Sequence, residues 1–273
     1  MDMSQSINIY VINLDKRIDR LERLGGQLDD MGLKWQRISA IDATKATPDA
    51  FEHATGLAGP LGKMGMGDRA CATSHNKAWR AFLESDATFG LFLEDDVYLS
   101  SDTPKLLTDD TWIKPGIDVV KLEKYDKGVS KILLGQGFTL PNGRTLRPMY
   151  SRHVGGAAYI LSRKAAAAAV QRRNICVPVD HYWFNANVSP MARRFKPHLI
   201  NPGMATQREF GFNSDMAFIG RSERPQGWRM KWRRAKRGFY EISRLPQQLL
   251  AMAFLGARVT PIEWIENFQE KEE

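Results

Sequence analysis

The sequence predicts an α/β domain, on three observations. Ile7–Leu14 and Phe89–Leu93 are apolar runs with little polar alternation, as in strands buried on both faces. Ile18, Leu21, Leu24, Leu28 and Met31 recur at three- and four-residue steps among charged residues, and Gly32 follows, which predicts a helix over Arg17–Met31. Lys34–Ile38 reads as a second strand, so strand, helix and strand follow in the order of an α/β unit. The loop holding Asn13, Asp15 and Arg17 then falls at the carboxyl edge of the sheet, where such folds bind ligands.

The remaining elements follow from the same rules. Ala43–Gly67, rich in Gly, Ala and Pro, reads as a long loop. Asp68–Glu84 reads as a helix with a carboxylate at its positive end. Val119–Leu122 and Val154–Leu161 are further strands, and the alanine-rich Arg163–Arg172 is a helix. The chain has 273 residues, 43% apolar and 26% charged, which excludes disordered and fibrous classes. Two cysteines, Cys71 and Cys176, are too few for a disulfide framework and fit a reducing compartment as small buried groups. The start has no signal-peptide pattern, and the apolar run Leu249–Ala257 is too short to span a bilayer.

Charge divides the chain. Residues 221–244 carry nine basic residues against Glu223 and Glu241, which accounts for nearly all of the net +8. The composition breaks near Gly220, so residues 1–220 are expected to form the α/β domain and 221–273 a basic amphipathic helical segment. In that segment Trp228, Trp232, Ala235, Phe239 and Ile242 form a stripe beside a cationic face, the pattern of an interfacial membrane helix. The alternative is a helix whose stripe packs on the domain. Single-stranded RNA is a third choice, and the near-neutral body argues against nucleic acid as the partner.

Glu94-Asp95-Asp96, directly after the second apolar run, is the sharpest local signal. Adjacent carboxylates at a strand end repel unless a cation joins them, and Mg²⁺ or Mn²⁺ takes oxygen ligands of this kind. The alternative is a solvated turn. Arg17 and Arg20 are candidates for phosphate contacts or surface arginines. His153 and His198 are weaker candidates for completing a metal shell.

Three motifs occur in order: Tyr10–Arg20, Gly67–Trp79 with Ser74 and His75, and Phe92–Val97. With Gly155-Gly156 before an apolar strand, the alanine helix and Val177–Asp180, they resemble glycosyltransferase family 25 over about residues 6 to 215. Ala70 and Asp68 depart from the family pattern, which has Gly and Glu there.

The resemblance implies a GT-A type, Rossmann-like nucleotide-sugar domain, a UDP-hexose donor, Mn²⁺ or Mg²⁺ at Glu94, Asp95 and Asp96, and inversion at the anomeric carbon. Candidates around the donor are Asn13, Asp15, Arg17, Arg20, Ser74, His75, Glu94, Asp95, Gly155 and Gly156, with His75 reading equally as a packed structural histidine and Gly155-Gly156 as a bulge. The resemblance makes Asp180 the base, and Asp180 reads equally as a helix N-cap. The expected reaction moves galactose or glucose to a lipopolysaccharide or lipooligosaccharide core, with the protein cytoplasmic and peripheral on the inner face of a bacterial inner membrane. The competing classes are a metal-dependent nucleotide-sugar hydrolase and a non-catalytic carbohydrate- or membrane-binding module.

Overall fold

The computed structural model describes residues 6–51, 53–125, 130–207 and 228–267. In chain order the elements are β1 (Ile7–Asn13), α1 (Ile18–Asp30), β2 (Trp35–Ser39), the ribbon β3 (Ala58–Gly59) and β4 (Gly62–Lys63), α2 (Met66–Glu84), β5 (Phe89–Glu94), β6 (Val97–Leu99) and α3 (Pro104–Leu107). There follow β7 (Val119–Lys121), β8 (Ser130–Leu134), β9 (Phe138–Thr139), β10 (Thr145–Pro148), β11 (Ala158–Ser162), α4 (Arg163–Arg172), α5 (Val179–Phe184) and α6 (Pro190–Phe195). The last described elements are β12 (His198–Asn201), β13 (Ala205–Gln207), α7 (Trp228–Ile242), α8 (Leu245–Phe254) and β14 (Arg258–Ile262).

Eight strands form one mixed sheet in the order β2-β1-β5-β11-β7-β12-β10-β9. The first three are parallel, and β11 runs antiparallel to both β5 and β7. Strand alternation explains the unbroken apolar runs. Tyr10, Ile12 and Phe92 pack with Trp79 and Phe82 of α2 on one face, while Ile9, Val11, Leu91 and Leu93 pack with Leu24 and Leu28 of α1 on the other. Both faces of β1 and β5 are therefore dry, and side chains of either parity are apolar.

Two expectations change. Residues 154–157 do not join β11; Gly155 takes φ +88 and the segment's backbone is bound by buried side chains of β7 and its exit. The chain after residue 221 is also not helical throughout. Residues 221–227 lie outside the described residues, α7 and α8 follow, and Gly256 at φ +63 ends the helical course. β14 then pairs antiparallel with β8, and Trp264 bridges to Gly203, which ties the C-terminal segment to the body. No helix among the described residues is long and apolar enough to cross a membrane.

Candidate active site

The site grows from the end of β5. The chain turns at Asp95-Asp96 and leaves the main sheet as β6, which pairs with β13 and brings Gln207 opposite Val97. One face of α1 clasps this turn. Arg20 reaches Asp95 and Asp96 at 3.2 and 3.5 Å, Arg23 donates to the Asp95 carbonyl at 2.7 Å, and Gln27 donates to the Leu99 carbonyl at 2.8 Å. These positions are three and four residues apart, so they share one stripe of the helix.

The three carboxylates have different surroundings. Asp95 is buried, with one oxygen accepting from Asn13 at 2.8 Å and the other from Arg20. Glu94 and Asp96 share the Gln207 amide, at 3.4 and 2.8 Å. Burial, followed by the nearby charge of Glu94, pushes the Asp96 carboxyl up to about 7. Glu94 and Asp96 are thus the pair that a divalent cation would relieve, and their hard oxygen donors fit Mg²⁺ or Mn²⁺.

Glu94 is also held from behind. Trp79 Nε1, which can only donate, points to the Tyr159 hydroxyl at 3.0 Å, and that hydroxyl lies 2.7 Å from His75 Nδ1. The Glu94 carboxylate can only accept, so His75 Nε2 carries the hydrogen and donates to Oε1 at 3.2 Å, and in the neutral ring Nδ1 then accepts from the Tyr159 hydroxyl. Cys71 Sγ approaches the same oxygen at 3.9 Å, and burial and neighbouring carboxylates push its thiol up, so it stays protonated. Cys71, His75 and Glu94 have metal-ligand types within 4.8 Å of one another. With its Nε2 protonated, His75 acts as a donor in this trio.

Two cavities meet at Cys71 and Glu94. The larger, about 480 Å³, is lined by Leu14, Lys16, Arg20, Ile41, Asp42, Thr44, Gly67, Ser74 and His75 and by all three carboxylates. Burial opposes ionisation of Asp42, but Thr44 and Lys16 hold it down at about 2. Ser74 accepts from the Ile41 amide at 2.8 Å and so fixes the loop on this rim. The smaller cavity, about 260 Å³, is lined by Asp68, Gly156, Asp180 and His181.

Asp180 stands in the first turn of α5 rather than at its cap. It accepts from the His181 amide at 2.7 Å and from the Gly155 amide at 3.4 Å. The Gly155-Gly156 segment is anchored by two fully buried side chains. Lys121 donates to the carbonyls of Val154, at 3.0 Å, and Gly155, while Glu123 accepts from the Ala157 amide at 2.9 Å. Burial pushes Lys121 down and Glu123 up, and each charge resists the other's shift. A Cβ on Gly155 would stand 2.6 Å from a Glu123 oxygen, and one on Gly156 would stand 3.2 Å from the Asp180 nitrogen.

The expected residues therefore separate. Arg20, Ser74, His75, Glu94, Asp95, Asp96, Gly156 and Asp180 line the paired cavities. Asn13 binds Asp95 and the Arg17 carbonyl; Asp15 pairs with Arg37 and Ser39; Arg17 pairs with Asp19. None of these three lines either cavity. His153 lies buried near Lys121 and Lys124, and His198 lines a separate cavity near α8, so neither histidine joins the carboxylates. Lys16, Asp42, Lys121, Glu123 and Gln207 were not anticipated. Lys121 and Glu123 did carry a signal, because a spacing of two in extended chain at the end of a strand puts both on one face.

Relatives share this chain's sequence pattern. The lacto-N-neotetraose biosynthesis glycosyltransferase LgtB of Neisseria gonorrhoeae is 27% identical over 175 residues, 62% of either chain. LgtE of the same organism is 25% identical over 214 residues, 72% of this chain and 73% of that protein. The lipooligosaccharide biosynthesis protein lic2B of Haemophilus influenzae is 23% identical over 171 residues, 57% of this chain and 59% of that protein. The chain thus spans about three-fifths of the length of LgtB and of lic2B. A solved glycosyltransferase involved in the glycosylation of the major capsid of PBCV-1 superposes loosely, with a TM-score of 0.41 and 9% identity, over 78% of this chain and 96% of that one. The sequence model of glycosyltransferase family 25 (LPS biosynthesis protein) matches residues 6–183, which hold every carboxylate of the two cavities, and the chain belongs to that family.

Proposed function

We propose that the protein is an inverting, metal-dependent glycosyltransferase that moves galactose or glucose from a UDP-sugar to a lipooligosaccharide or lipopolysaccharide core. The observation that carries this reading is the shared wall. Glu94 borders both the larger cavity, sized for a nucleotide sugar, and the smaller one that holds Asp180. The relatives' part in lipooligosaccharide synthesis supports the acceptor class.

Glu94 and Asp96 would hold Mn²⁺ or Mg²⁺, which offsets charge on the departing diphosphate. Asp95 keeps the turn in place through Asn13 and Arg20. Asp180 takes the proton of the acceptor hydroxyl as its oxygen attacks the anomeric carbon; the bond to the diphosphate breaks with its electron pair, and UDP leaves. Attack opposite the leaving group inverts the centre, through a transition state of oxocarbenium character. The basic residues of 221–244 attach the protein to the anionic inner face of a bacterial membrane, beside a lipid-linked acceptor.

The test is donor binding and turnover across UDP-, GDP-, CMP- and ADP-sugars, with Mn²⁺ and with EDTA. Metal-dependent transfer from one UDP-hexose to a core oligosaccharide is the expected result. Turnover to free sugar that no acceptor increases would mark a hydrolase. Glycan binding without turnover of any donor would mark a binding module.

A further inference from the structure

Helix α8 is built inside out. From Leu245 to Ala257 the chain has no charged residue, yet within α8 only Ala251 is buried, against Leu133 and Ala257. Gln248 ties the helix to the Tyr150 carbonyl at 3.0 Å. Leu249, Leu250, Met252 and Phe254 face outward, Phe254 with 79% of its surface exposed. A surface helix in water turns its large apolar residues to the core. Here the small residue packs and the large ones meet solvent, and an exposed apolar face of this kind marks an interaction surface.

Cations border that face. A cavity of about 860 Å³ opens beside α8, with Met149 and Leu250 in its wall and Arg193, Lys196 and Arg244 around it. Arg193 and Arg244 both donate to the Ala186 carbonyl, at 2.9 and 3.1 Å, so two guanidinium groups converge on one point.

We propose that α8 is an interfacial helix, whose outward face enters the headgroup and acyl boundary of an anionic leaflet while Arg193, Lys196 and Arg244 meet lipid phosphates. A twofold contact with a second copy would bring a second set of these cations into one interface without adding an anion, whereas an anionic leaflet neutralises them. The inference rests on the proposed membrane attachment of residues 221–244 and adds the element that inserts.

The full chain is floated with phosphatidylcholine vesicles containing phosphatidylglycerol, and with phosphatidylcholine alone. Binding to the mixed vesicles is expected, reduced at least about tenfold by Leu249→Asp with Phe254→Asp, because both side chains leave water on docking. Arg193→Glu with Lys196→Glu is expected to weaken the preference for phosphatidylglycerol, the basic residues of 221–244 keeping the remainder, and an unchanged preference removes these two cations from the docking face. Undiminished binding of the Leu249 and Phe254 double variant overturns the role of α8 and leaves attachment by the basic segment standing. Failure of the unaltered chain to bind the mixed vesicles overturns both. Concentration-dependent dimerisation lost in the same apolar variant assigns the face to a second copy and overturns the bilayer.

Discussion

His75 Nε2 lies 3.2 Å from Glu94 Oε1, and the hydrogen between them belongs to the histidine. The assignment comes from the carboxylate, which can only accept; in the neutral ring Nδ1 then accepts from the Tyr159 hydroxyl, which itself accepts from Trp79. His75 thus aims a carboxylate of the proposed cation site from outside it, as outer-shell partners of ligands do. His75→Leu is expected to weaken Mn²⁺ binding about 10- to 100-fold. His75→Gln, which keeps an N–H near the same place, should restore most of it. Mn²⁺ titration followed by electron paramagnetic resonance reads both; a leucine variant with unaltered affinity removes the histidine from the site.

Adjacent carboxylates should respond in opposite directions. Asp95 gives both oxygens to buried partners, so Asp95→Ala removes a charged hydrogen-bond partner from Asn13 and from Arg20, which keeps Asp96, and is expected to cost about 2 kcal/mol of folding stability. Asp96 sits under like charge from Glu94, and Asp96→Asn relieves it. Without added cation at pH 8, the Asp96 variant should be more stable by on the order of 1 kcal/mol, and it should bind Mn²⁺ poorly. Chemical denaturation of the two variants checks the contrast; equal losses of stability would mean that both carboxylates serve the fold alike.

This pair also marks the limit of what the sequence discloses. The Glu94–Asp96 run is visible as a cluster, and the dry faces of β1 and β5 are visible as unbroken apolar runs. The division of labour within the run depends on Gln207, which arrives only through the pairing of β13 with β6, more than a hundred residues away. Local spacing has no access to that register. Arg20, Arg23 and Gln27 were nearer to hand, since their spacing puts them on one stripe of α1; the missing fact was that this stripe clasps the carboxylate turn. The C-terminal segment misled for a related reason. Helical periodicity describes α7 well, but the return of β14 to β8 is a long-range pairing with no periodic trace.

Acid should destabilise the fold through His153. Burial, with the charges of Lys121 and Lys124 nearby, lowers its pKa from 6.5 to about 2. Below pH 6.5 the unfolded chain protonates this imidazole while the folded one keeps it neutral, so unfolding takes up a proton. Stability from this group is intact above pH 6.5 and falls by up to about 1.4 kcal/mol for each pH unit below it. His153→Gln should flatten that limb between pH 6.5 and 4.5. An unchanged slope in urea denaturation across this range would show that the imidazole is protonated in the fold.

As the proposed base, Asp180 should separate binding from chemistry. It lines the smaller cavity but not the larger one, and α5 and the Gly155 amide fix its two oxygens. Asp180→Asn keeps an acceptor for the His181 amide and loses the basic carboxylate, so donor affinity should be unchanged while turnover falls about 100- to 10,000-fold. Gly156→Ala presses the same site from the other side, because its new Cβ would stand 3.2 Å from the Asp180 nitrogen. It is expected to lower turnover more mildly, again without changing donor affinity. Lys121→Met completes the series, since it strands the buried Glu123 and should cost about 3 to 5 kcal/mol of stability before any effect on chemistry is read. Donor titration beside single-turnover transfer distinguishes these cases. Normal turnover in Asp180→Asn would shift the base to Asp68 or Glu94, the other carboxylates of the smaller cavity.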